Sequence, residues 1–259
     1  RHMLQAYDDA AQRVFSDPAR RAQFWAGKLG LAAGDVQRLM GDAVAFRNTL
    51  RARLMKYGGP GYVTPEPSSF PALQETAAMI LACGAIPMYA WLDGTNSGES
   101  DAELLLDLFA GTPGFGLNIV PDRNWNLRDP SERALKVGKL NEIVSKARER
   151  HIPLSAGTEI NNAAQPMVDH FDSPELRAHA EAFLDGGLIL WGHSLLLRHG
   201  GFGYNSPQAH SAFGRDVAAR NAFFREAGAR PVPHGSTLHN LRAASKAGDP
   251  KAVLRALET

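Results

Sequence analysis

Five short apolar runs recur along the chain, and each ends on a polar or ionisable residue. Residues 86–92 run into Asp93, and residues 115–121 run into Asp122, Arg123 and Asn124. Residues 152–158 run into Glu159, 188–192 into His193, and 230–233 into His234. Read as strands, they start near 86, 114, 152, 187 and 229, with spacings of 28, 38, 35 and 42 residues. Such spacings match successive βα units. Helical patterns fill the intervals: Leu104, Leu105 and Leu108 in one, then Val137, Leu140, Val144 and Ala147 on one face of the next. Ser173-Pro174-Glu175 reads as the start of another helix, with Pro at the first helical position and an acid in the first turn. Alternation of this kind calls for a parallel sheet buried on both faces. Its strands share one carboxyl edge, where catalytic residues of barrels and open α/β sheets collect.

The expected fold is therefore α/β, a TIM-like (βα) barrel over residues 68–259 behind an N-terminal helical segment, residues 1–67. Polar residues end every run and no Gly-x-Gly-x-x-Gly follows the first, which favours a barrel over an open sheet. A complete barrel needs eight strands, and five are counted. The barrel is thus expected to be incomplete or distorted, or its first strands precede these 259 residues. An open barrel edge would favour a homodimer.

Composition excludes several classes. With 44% hydrophobic and 21% charged residues, the chain has the balance of a globular protein. A net charge of +1 without a dense Lys/Arg run gives no footprint for nucleic acid or an anionic membrane. No run reaches the roughly 18 apolar residues of a membrane span. The lone Cys83, in an apolar stretch, excludes a disulfide framework and a Cys-rich zinc site. Together these suggest a cytoplasmic protein. Arg1-His2-Met3 reads as a tag remnant and is left out of the site.

Glu159, just after a buried run, needs a metal, a basic partner or hydrogen bonds to be tolerated. His193 and His234 occupy equivalent run ends, where a neutral imidazole serves as a metal ligand or general base. Asp93 opens an Asp-Gly turn two residues after Trp91, an aromatic–carboxylate pair suited to a sugar or a cation. Asp122 is a further acid, and Arg123 can clamp a phosphate or carboxylate bidentately beside Asn124. Asn161 and Arg198 complete the candidate substrate contacts. Asp169-His170 reads as surface near a helix start. Gly-x-Ser-x-Gly, His-Glu-x-x-His and His-x-His are absent, so a serine hydrolase and a thermolysin-like protease are unsupported.

The stretch Leu154-Ser155-Ala156-Gly157-Thr158-Glu159-Ile160 resembles the Gly-x-Glu strand of the polymerase and histidinol phosphatase (PHP) family. The runs ending Gly192-His193 and Pro233-His234 are similar to that family's later metal-bearing strands, and residues 84–234 resemble bacterial proteins loosely grouped with it. The resemblance implies a distorted βα barrel and a divalent metal (Zn, Mn or Fe) held by Glu159, His193 and His234. The family's opening His-x-His strand is missing, and so is the Asp-His that ends its second strand, unless Asp169-His170 takes that part. On these grounds the leading expectation is a metal-dependent hydrolase, a phosphoesterase, acting on a small molecule. Asp93 or Asp122 would serve as a further ligand or base. The alternatives are a sugar-active barrel enzyme (isomerase, epimerase or glycosidase) using Asp93 and Glu159 with Trp91, Trp125 and Trp191 as stacking walls, and a non-catalytic ligand-binding module.

Overall fold

The computed structural model describes residues 2–160 and 167–258. It divides into two units, Arg1–Pro71 and Ala72–Thr259.

The first unit is helical. Helices α1 (His2–Val14), α2 (Pro18–Leu29), α3 (Ala33–Leu39) and α4 (Ala43–Leu50) lead into a π-helical turn, Arg51–Met55. Asp17 and Asp42 accept backbone N–H groups at the starts of α2 and α4, and Pro18 sits where no intrahelical donor is needed. Trp25, Val36, Phe46 and Leu50 make the core, with Trp25 edge-on to Phe46.

The second unit is built on three short parallel strands, β1 (Met88–Trp91), β2 (Gly116–Ile119) and β3 (Leu154–Ala156), in the order β1-β2-β3. Met88 pairs with Gly116, and Leu117 with Leu154. Prolines bracket the sheet without costing a ladder bond. The Pro87 and Pro153 carbonyls accept from Gly116 and Leu117, both at 2.9 Å. Helix α5 (Leu73–Ala82) precedes β1, α6 (Ala102–Phe109) joins β1 to β2, and α7 (Asp122–Trp125) and α8 (Pro130–Glu149) join β2 to β3. Trp91, Leu117 and Ile119 are buried with Leu105 and Leu106 of α6 and Leu140, Ile143 and Val144 of α8.

Beyond β3 the described chain is all helix and loop: α9 (Pro174–Arg177), α10 (Ala180–Gly200), α11 (Pro207–Phe213), α12 (Val217–Gly228), α13 (Ser236–Ala247) and α14 (Pro250–Arg255). Helix α10 lies directly on β3 through Gly186 and on α12 through Gly192 facing Gly228. A second core cluster joins Ile189, Leu195 and Leu196 of α10 to Phe223, Phe224, Leu241 and Val253.

The barrel expectation is overturned. The described chain is mostly helical around one open three-stranded sheet, and the first three apolar runs alone form strands. The fourth run, with His193, lies inside the 21-residue helix α10. Ile189 is buried and Leu188 and Leu190 are half-buried because α10 packs on β3, α12 and α13, which hides the helical period behind a continuous apolar stretch. The fifth run, with His234, is an extended loop. Pro231 and Pro233 remove the backbone donors a strand there would need. The homodimer expectation rested on an open barrel edge and loses that premise. Among the described residues no helix is long and apolar enough to cross a membrane.

Candidate functional site at the carboxyl edge of the sheet

Each strand delivers charge at its carboxyl end. After β1 the chain turns around the carboxylate of Glu99, which is buried at 3% exposure. Its two oxygens accept from the backbone N–H groups of Leu92, Asp93 and Gly94 at 3.0, 3.2 and 3.1 Å. Gly94 adopts a left-handed φ of 70°, and a Cβ there would press on Lys139 and Trp91. That turn holds Asp93 in place. One Asp93 oxygen accepts from the Thr95 hydroxyl at 2.6 Å and the Thr95 N–H at 3.0 Å. The other meets Lys136 Nζ of α8 at 3.2 Å. Burial opposes ionisation of Asp93, but the Thr95 bonds and Lys136 outweigh it and hold its carboxyl below the usual carboxylate range.

After β2, α7 carries Asp122, Arg123 and Asn124. Asn124 is fully buried, and its amide donates to the Leu92 and Val120 carbonyls at 2.9 and 3.0 Å. Those bonds tie the ends of β1 and β2 together, so Asn124 positions the edge and its NH2 is not offered to substrate. Asp122 accepts from the Asn126 amide at 2.9 Å. Arg123 Nε donates to Glu159 Oε2, joining the end of β2 to the end of β3. That bond with Glu159 raises the Arg123 pKa, and the charges of Asp93 and Glu99 add to it. Asp93, Arg123 and Glu159 thus share one electrostatic neighbourhood.

After β3 the backbone passes close to β2. A Cβ on Gly157 would lie 2.7 Å from Asn118 Oδ1, which already accepts the Ser155 hydroxyl at 2.8 Å. The Thr158 hydroxyl donates to the Met167 carbonyl at 3.3 Å. Asn161 lies outside the described residues.

The returning segment supplies a carboxyl that the sequence pattern hides. Asp169 is buried at 7% exposure, with one oxygen left without a partner. Burial pushes its pKa up, and the charge of Asp122 pushes the same way. Beside it the His170 ring packs against Trp125 with centroids 5.8 Å apart. Asp169-His170 is read as surface from the sequence; His170 is exposed, whereas Asp169 is buried against the α7 turn that follows β2.

The remaining candidates stand apart from this edge. Trp91 is a core residue at 1% exposure, so it forms no stacking wall. Trp191 is exposed on α10. Arg198 is exposed on the last turn of α10, without an ion pair among the described residues. His193 is buried, its Nδ1 accepts the Tyr204 N–H at 3.0 Å, and burial holds its pKa down. The neutral ring therefore carries its proton on Nε2 and fastens the 203–204 turn. His234 is exposed, and its backbone N–H donates to Thr237 Oγ1 at 2.8 Å. Glu159, His193 and His234 are not gathered, and no three His, Cys, Asp or Glu side chains among the described residues form a metal-binding group.

No protein-family model, curated protein or solved structure matches this chain.

Proposed function

We propose that the carboxyl edge of the sheet is the active site of a hydrolase acting by acid–base chemistry on a small anionic ester, a phosphate ester or an acidic sugar derivative. The observation that carries this reading is a set of carboxyl groups pushed in opposite directions beside a cation. Asp169 is biased towards its protonated form beside Asp122, and Asp93 towards its ionised form, with Arg123 paired to Glu159 at the same sheet edge. Environments that separate the protonation of neighbouring acids assign the proton donor and the base. Asp169 would protonate the leaving oxygen, and ionised Asp93 would take the proton from the attacking water. The anion would compete with Glu159 for the Arg123 guanidinium, whose planar fork suits phosphate and carboxylate alike.

The test is turnover against a panel of phosphate monoesters and sugar phosphates, read as released inorganic phosphate. Asp169→Asn is expected to lower kcat by about 100-fold, the low end for loss of a general acid. Arg123→Gln is expected to raise KM by about tenfold with a smaller change in kcat, the mark of lost ground-state binding. His234→Ala should change neither. Full turnover by Asp169→Asn, or no turnover of any panel member by the wild type, overturns the reading.

The same substitution carries a stability signature. The folded pKa of Asp169 lies above its unfolded value. Its favourable contribution is therefore present below the unfolded value and disappears as pH rises through the folded one. At neutral pH the wild type bears the cost of a buried charge that Asn lacks. Asp169→Asn should melt higher than wild type at pH 7, and the gain should vanish near pH 3. A variant that is less stable at pH 7 would show that the Asp169 carboxylate is well satisfied in the fold.

A further inference from the structure

The opposite edge of the sheet holds a cavity with a different character. About 680 Å³ of space opens beneath the residues that lead into β2 and β3. Ligand pockets in proteins commonly span about 300–1,000 Å³. Its apolar wall is formed by Leu106, Phe115, Ile152 and Val217. Its charged lining is three arginines, Arg150, Arg215 and Arg220, beside His151 and His210, with no carboxylate among the lining residues. Arg150 is already neutralised by Glu103 and Asp107. Arg215 and Arg220 have no ion pair among the described residues.

Arg220 is the unusual member. It is buried at 5% exposure, and its Nε has no hydrogen-bond partner. Its guanidinium lies over the Tyr204 ring at 4.5 Å and also interacts with the Tyr204 hydroxyl, which leaves Nε unpartnered. A buried cation is costly unless paired, and a ring face offsets only part of that cost. The wall behind it is held rigidly. The Tyr204 hydroxyl donates to Asn221 Oδ1, and Asn221 Nδ2 donates to the His151 carbonyl at 2.7 Å. His151 is the one non-glycine residue with positive φ among the described residues, at 55°. Such a conformation in a residue with a Cβ costs energy and persists when its surroundings enforce it, often at a binding site.

We infer that this amino-edge cavity is a second binding site, for a small organic ligand that carries an oxyanion on an apolar body. Arg220 and Arg215 meet the oxyanion with charge-assisted hydrogen bonds, and the Leu106–Phe115–Val217 wall covers the apolar part. The inference does not depend on the proposed activity. The two sites lie at opposite ends of strands of three or four residues, on the order of 10–13 Å of extended chain. Occupancy of one therefore touches the frame of the other.

The probe is phenylphosphonate, which joins an oxyanion to an apolar ring and has no ester bond to cleave. Isothermal titration of the full chain carrying Arg123→Gln, which removes the anion contact of the carboxyl edge, should show one-to-one binding. Adding Arg220→Gln or Arg215→Gln to it should weaken that binding at least tenfold. Arg215 is exposed, so its variant keeps the test open if loss of Arg220 unfolds the chain. Inorganic phosphate alone should bind more weakly than phenylphosphonate, because it leaves the apolar wall uncovered. No binding of phenylphosphonate overturns the inference. So does binding that disappears in Arg123→Gln but survives in Arg215→Gln.

Discussion

Gly186→Ala should destabilise the second unit by about 3 kcal/mol or more, whereas Gly187→Ala, one residue on, should stabilise it slightly. A Cβ on Gly186 would lie 1.6 Å from the Leu154 carbonyl oxygen and 2.5 Å from its carbon, both backbone atoms of β3. Neither atom can swing away as a side chain would, so helix and strand must part. Overpacking a well-filled core costs typically about 1–3 kcal/mol and more where the backbone must move. For a unit of this size that is a fall in melting temperature of roughly 6–12 °C. Gly187 is exposed on the same helix, and a Cβ there meets nothing within 4 Å. Replacing a mid-helix glycine by alanine then gains roughly 0.5–1 kcal/mol of backbone entropy. Urea unfolding of the two variants gives the comparison directly. Equal midpoints would mean that α10 is not seated on β3.

The same contact explains which part of the fold was legible from the sequence. The runs 86–92, 115–121 and 152–158 each contain a strand because each is a short β-rich run marked by proline or glycine, and each leads into a polar turn. Once three parallel strands exist, their ends must share an edge, which is where Asp93, Arg123 and Glu159 stand. The run around residues 188–193 has the same local composition but belongs to α10. Its glycines carry the difference. Gly186 and Gly192 are buried because they let the helix approach β3 and α12, not because they end a strand. Counted with Phe183, Ile189 and Leu196, they restore a spacing of three to four residues across most of the helix. Periodicity that treats glycine as a breaker cannot see it. The 230–234 run fails for a local reason visible in the sequence, two prolines in three residues.

The candidate site was legible only where strand ends dictate position. Nothing in the sequence neighbours of Asp169 marks a buried acid. Its burial comes from packing against the α7 turn, and its pKa is raised first by that burial and then by the charge of Asp122, 47 positions earlier (169 minus 122). Arg220 is hidden for a similar reason. In sequence it is one of two arginines on α12, and only packing places it over Tyr204. Charged residues are ordinarily assigned to solvent because burial is costly. The exceptions are the positions where a fold spends stability on chemistry, which is why Asp169 and Arg220 anchor the two proposals.

Glu99 is the third buried charge, and its removal should damage both fold and site. Glu99→Ala is expected to cost about 3 kcal/mol or more, since three backbone donors lose their acceptor and each buried donor left unpaired costs about 1–3 kcal/mol. Oε1 accepts from Leu92 N–H, and Oε2 accepts from Asp93 and Gly94 N–H. Glu99→Gln should be nearly as harmful, although it preserves shape and volume. Its NH2 would face a backbone N–H where the carboxylate presents a second oxygen. Glu103→Gln, an exposed position on the adjoining helix, should change stability little, as surface pairs do. Chemical denaturation ranks the three variants, and hydrogen exchange reports on the amides of residues 92–94 one by one. The turn those amides form aims Asp93 at the carboxyl edge, so Glu99→Gln should also lose turnover in step with Asp93→Asn. Exchange that stays slow at 92–94 in Glu99→Ala would mean that the turn is set by Gly94 and Thr95. The carboxylate would then have to be explained by the site and not by the fold.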